Sequence, residues 1–137
     1  MNDQHLSKIV LANMIKEARE VIFELPVFGF YVKLASLVLQ NNSLHIKFTQ
    51  KDLAEILDYT APTIYRYLRD LAQMGFIEMY SWNGAFTIVS LLVKKNEDTI
   101  VNAYLDRIDQ VYVNMRRTCI EMFDEEVLPF ESKTAKV

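Results

Sequence analysis

The stretch "DYTAPTIYRYLRDLAQMGF", Asp58 to Phe76, decides how the chain is read. Thr60 precedes an apolar repeat and Pro62 falls in the first turn, where a proline forfeits no useful donor, so a helix starts here. Ile64, Tyr67, Leu68 and Leu71 recur at intervals of three and four and form its inner face. Gly75 supplies a left-handed stop. Ala61, Pro62, Thr63, Tyr65, Arg66, Arg69 and Gln73 are left on the outer face. Just upstream, Thr49 and Asp52 make a capping-box-like start for a short helix over Gln50 to Leu57, with Leu53, Ile56 and Leu57 inward. Asp58-Tyr59-Thr60 is then a tight turn, and Asp tolerates the left-handed conformation such a turn needs.

Working outward, Phe76 to Trp82 and Ala85 to Leu91 are β-prone runs joined by Asn83-Gly84, a strong signal for a two-residue hairpin turn. Leu44 to Phe48 alternates like a short half-buried strand. Leu6, Ile9, Val10, Met14, Ala18, Val21, Ile22 and Leu25 mark one face of a helix over 4–25, ended by Pro26. A second helix, Val27 to Gln40, is apolar nearly all round, as a helix in the middle of a core must be. Gly29 within it suggests close approach by a neighbour. A final long helix over 99–124 carries Val101, Tyr104, Ile108, Val111, Met115 and Met122 near a heptad seam, with Leu105, Tyr112 and Cys119 beside it. Residues 125–137 read as a polar tail.

A chain of 137 residues is sufficient for one domain with one sizeable core, and 1–137 reads as a single unit. Its net charge is -3, and the acidic excess lies beyond residue 95, where nine acids face five basic residues. Residues 43–95 hold Lys47, Lys51, Arg66, Arg69, Lys94 and Lys95 against five acids. The middle of the chain is thus slightly basic. The longest apolar run, Leu25 to Leu39, is interrupted by Lys33 and is too short to span a membrane. No signal peptide is visible after Met1, and Cys119 is the single cysteine, which fits a reducing cytoplasm. His5 and His45 have no metal-ligand spacing, and no nucleophile elbow, Gly-rich phosphate loop or other catalytic motif occurs. Neither metal, cofactor nor enzymatic activity is expected.

Phe48 to Val89, "FTQKDLAEILDYTAPTIYRYLRDLAQMGFIEMYSWNGAFTIV", has the order of a winged helix-turn-helix and resembles the DNA-binding halves of Crp/Fnr-type regulators. The likeness is carried by Leu53-Ala54 at the helix crossing, by Leu57, Tyr59, Thr60, Thr63, Ile64, Arg66 and Leu68, and by the passage "LRDLAQMGFIEM". The whole plan, with helices before and after the motif, is similar to MarR-type regulators, whose terminal helices build a dimer. The hairpin is shorter than a MarR wing and lacks its Asp-x-Arg signature, so the architecture is carried over and wing contacts are not. RepL-type plasmid replication initiators are similar too.

The resemblance implies a mainly α fold with a small hairpin, a winged helix-turn-helix over 27–91 flanked by dimerisation helices. It implies double-stranded DNA as partner, with helix 60–74 in the major groove of an inverted repeat. Arg66 is the expected base reader, because a guanidinium can pair with a guanine edge through two bonds. Arg69, Lys51 and Gln50 suit phosphate; Thr60, Thr63 and Tyr65 bring hydroxyls, and Ala61 and Pro62 lie at the leading end of the helix. Trp82 and Asn83 stand at the wing tip, where Trp82 either reaches DNA or folds back over the sheet. Transcriptional regulation by a homodimer is the leading function; plasmid or phage replication at an origin, or a winged-helix module that binds protein, are the alternatives. Any effector is unknown.

Overall fold

The computed structural model describes residues 2–82, 86–109 and 128–129. In chain order the elements are α1 (Asp3–Ile22), α2 (Val27–Gln40), β1 (His45–Phe48), α3 (Gln50–Leu57), α4 (Ala61–Gln73), β2 (Ile77–Trp82) and β3 (Phe86–Leu91). Helix α5 follows over 99–109 as far as it is described, and β4 is Leu128–Pro129. The chain is mainly helical with a small antiparallel sheet of order β1-β3-β2-β4. Of the stretch expected as a tail only Leu128 and Pro129 are described, paired with Ser81 and Tyr80. Val111, Tyr112, Met115, Cys119 and Met122 lie outside the described residues.

Helix α1 starts on Asn2, whose side chain accepts the His5 N–H at 2.8 Å, and buries Leu6, Val10, Met14, Ala18 and Ile22. It ends at Ile22, three residues before the expected limit, because the corner into α2 itself consumes the chain: the Leu25 N–H returns to the Ile22 carbonyl and Pro26 caps α2. Leu25, expected inside, is therefore exposed, and Val21, still within the last turn of α1, is exposed as well. Helix α2 runs through the centre with Phe30, Leu34, Ala35 and Val38 fully buried. Gly29 sits on its outer side, where a Cβ would meet nothing within 4 Å, so the close approach expected there is absent.

One apolar cluster joins α1 through α5. The described stripe of α5, Val101, Tyr104, Leu105 and Ile108, is buried in it, as are Leu6, Val10, Met14, Ala18 and Ile22 of α1. Both helices were read as dimerisation helices; these residues are covered within a single chain. Polar contacts also hold the described part of α5 to the body. The Tyr104 hydroxyl donates to Asn42 Oδ1 at 3.0 Å, Arg107 pairs with Asp3 at 2.6 Å, and Asp109 reaches His45.

In the sheet, Ile46, Val89 and Met79 lie abreast on the core face. Ile88, on the other face, is also fully buried, so β3 is covered on both sides. His45, whose place in an alternating strand predicts exposure, is buried for the same reason. The hairpin register also departs from expectation. Trp82 pairs with Phe86, so three residues, 83–85, separate the strands in place of Asn83-Gly84 alone. The turn itself is outside the described residues.

Candidate nucleic-acid interface

Helices α3 and α4 and the turn between them form a preorganised pair. The Thr49 hydroxyl accepts the Asp52 N–H at 3.2 Å and opens α3. Asp58 closes it in the left-handed region at φ 61°, while the Tyr59 N–H returns to the Ala54 carbonyl at 3.0 Å. The same carbonyl also accepts the Asp58 N–H, so the turn is tied to the last turn of α3 through one shared oxygen. At the far end of α4, Gly75 has φ 85°, the Gly75 N–H bonds Ala72 and the Phe76 N–H bonds Leu71, the two bonds of a Schellman stop. Both ends of the motif are thus fixed by backbone chemistry before any side chain packs.

Leu53, Ile64, Leu68 and Leu71 are fully buried and lock the two helices against α2 and the sheet. Ile56, expected inward on α3, is 60 % exposed; the helix turns Leu53, Ala54 and Leu57 to the core instead. With α4 anchored on its inner side, Ala61, Pro62, Tyr65, Arg66, Arg69 and Gln73 stand exposed and Thr63 is half-buried. The Thr60 hydroxyl donates to Thr63 Oγ1 at 2.8 Å and makes no side-chain cap bond to the backbone. Lys51 is exposed in the first turn of α3. Gln50 begins that helix and Trp82 ends β2, but their side chains, and Asn83 altogether, lie outside what is described.

The tyrosines divide by role. Tyr65 faces outward, whereas Tyr59 and Tyr67 join Phe30 in a mutual aromatic cluster with ring centroids 5.4–5.8 Å apart. Phe30 lies at its buried centre, so this cluster pins α2 to the turn and to α4. Two cations rest on its outer surface. Arg66 places its guanidinium 5.3 Å from the Tyr67 ring centre, and Lys33, from α2, places its ammonium 4.7 Å from that of Tyr59. On the wing side Lys47 stands 5.2 Å from the Phe86 ring centre. Lys33 and Lys47 escape a reading of sequence because their rings come from distant elements and leave no mark in local spacing.

Charge pairing separates these cations from others. Among the described residues Lys95 pairs with Asp106 and Arg107 with Asp3, both on the α5 side. No described carboxylate comes within ion-pair distance of Lys33, Lys51, Arg66 or Arg69. Arg66 also borders a shallow groove of about 350 Å3 lined by Leu25, Pro26, Val27, Tyr67 and Met74. A separate hollow of about 370 Å3 lies between α1, residues 93–96 and α5, floored by Val10, Met14 and Leu105. No grouping of three metal-ligating side chains occurs among the described residues, and no described helix is long and apolar enough to cross a membrane.

Comparison with known families agrees with this geometry. Residues 48–78, from the end of β1 through α3 and α4 into β2, match the family described as winged helix-turn-helix DNA-binding. Neither the curated proteins nor the solved structures gave a match to the chain.

Proposed function

We propose that this winged helix-turn-helix chain is a sequence-specific transcriptional regulator that reads double-stranded DNA with α4 in the major groove. The observation that carries the reading is the outer face of α4. Four buried aliphatic residues hold the helix pair rigid, while Tyr65, Arg66, Arg69 and Gln73 are exposed and its two arginines lack a described carboxylate partner. A groove-reading helix needs a fixed scaffold and uncommitted donors.

Within this reading Arg66 pairs with a guanine edge after leaving the Tyr67 ring, a contact worth about 0.5–1 kcal/mol at an exposed site. Arg69, Lys51 and Gln50 hold phosphates, Thr60, Thr63 and Tyr65 offer hydroxyls, and Ala61 and Pro62 let the leading turn approach the bases. The protein acts as a homodimer in the cytoplasm, and two α4 helices related by a two-fold axis meet an inverted repeat. Because most of the apolar residues of α1 and the described ones of the α5 stripe are covered within one chain, the subunit contact falls to those left exposed, such as Val21, Phe23 and Ile100.

Binding-site selection from random duplexes tests the reading. Enrichment of an inverted repeat, with half-site centres about 34–36 Å or a whole multiple apart, is the expected result. If no sequence is enriched and random duplex is not retarded at low salt, DNA reading by α4 is wrong. Light scattering at micromolar concentration tests the dimer, and a monomer removes it.

A further inference from the structure

We propose that Lys33, on α2, is a contact for the DNA backbone phosphate beside the N-terminal end of α4, held in place for it by the ring of Tyr59. The inference rests on α4 being the helix that enters the groove.

Tyr59 is the last turn residue before the Thr60 cap, and the Lys33 ammonium stands 4.7 Å from its ring centre. The charge is therefore fixed to the end of α4 that leads into the DNA, although it belongs to a different helix. An α-helix with its side chains is about 10–12 Å across and the major groove about 12 Å wide. A helix seated there leaves almost no room at its flanks, and a cation one ring's thickness to the side faces the phosphate wall. Three further features suit that role. Lys33 is exposed, although it lies on the most buried helix of the fold. No described carboxylate neutralises it. Its ring is immobilised, since Tyr59 packs edge-on against Phe30 at 5.5 Å and against Tyr67 at 5.8 Å. A lysine held by such a ring has less freedom to lose when it meets phosphate than a free one. The same cluster carries Arg66 on Tyr67, so one aromatic floor aligns both cations.

The test is affinity for a random-sequence duplex and for a selected site between about 50 and 200 mM salt, using the full chain. One phosphate contact per protomer contributes about 0.9 to the slope of log affinity against log salt, or about 3–4-fold over this range. Lys33→Gln should lower low-salt affinity and flatten the slope by that amount per bound protomer. The ratio of selected to random binding should not change, because phosphate carries no sequence information. Lys33→Arg should restore the slope, which a folding defect would not allow, and Lys95→Gln, whose ammonium is paired with Asp106 on α5, should match the parent. A Lys33→Gln slope equal to the parent's overturns the inference while leaving the α4 reading intact. If the parent itself binds neither duplex, the α4 reading falls and this inference with it.

Discussion

His45 on β1 is held between Asp109, whose carboxylate is 2.8 Å from Nε2, and Ser90, whose hydroxyl is 2.7 Å from Nδ1. A carboxylate only accepts, so the neutral ring carries its proton on Nε2 and Nδ1 accepts from Ser90. The pair fastens the strand beside the motif to the last described turn of α5. Burial lowers the His45 pKa below its ordinary value of 6.5, with Asp109 partly offsetting the effect. The unfolded chain therefore binds more protons than the folded one below that value. Stability is greatest above pH 6.5 and falls as the pH drops through the lowered folded pKa. Thermal melts from pH 7.5 to 5 should show this loss, and His45→Gln should flatten it. Asp109→Asn, which removes the group favouring the charged ring, should steepen it.

On the proposed reading of DNA by α4, Arg66→Ala should cost about 1–3 kcal/mol per half-site and relax preference at one base pair, since the proposed bidentate guanine contact would be lost. Arg69→Ala or Lys51→Ala should weaken all sequences alike and reduce the salt dependence. Titration of selected and scrambled duplexes across a salt series separates the two behaviours. Arg66→Ala binding both duplexes like the parent would remove α4 as reader.

Two glycines should respond with opposite sign. Gly29 lies on the exposed side of α2 with open space where a Cβ would go, so Gly29→Ala should stabilise by about 0.5–1 kcal/mol. Gly75 holds φ 85°, and Gly75→Ala should cost about 1–2 kcal/mol through strain at the end of α4. Urea midpoints at constant m-value measure both.

A fragment spanning 27–95 should fail to fold. It lacks Leu6, Val10, Met14, Ala18 and Ile22 of α1 and Val101, Tyr104, Leu105 and Ile108 of α5, all buried in the shared core. Each large apolar side chain contributes about 1.5–3 kcal/mol on burial, so their sum exceeds a typical domain stability of about 5–15 kcal/mol. Dispersed amide chemical shifts from that fragment would contradict this.

The elements that sequence reading located best are those set by local chemistry. Thr49, Asp58 and Gly75 occupy the cap positions their side chains or backbone freedom suit, and the limits of α2 and α3 follow from the apolar pattern. Misreadings occurred where a distant element decides. His45 is buried where Asp109 meets the far face of the sheet, and Ile56 is exposed because α3 turns Leu53, Ala54 and Leu57 to the core. The outward position of Arg66 and Arg69 was legible from helical spacing. The division of labour among the tyrosines was not, because Tyr59 and Tyr67 are claimed by Phe30 on another helix.

The ties that dock α5 bridge long stretches of chain: 62 residues between Asn42 and Tyr104, 64 between His45 and Asp109, and 104 between Asp3 and Arg107. The bonds that shape α3 and its turn close over three to five residues. Contacts of large sequence separation form late, and interactions absent from the folding barrier act on the rate of opening. Tyr104→Phe should therefore leave the refolding rate nearly unchanged in stopped-flow experiments while speeding unfolding. On that expectation, the docking of α5 sets how long the helix-turn-helix stays closed between one opening and the next.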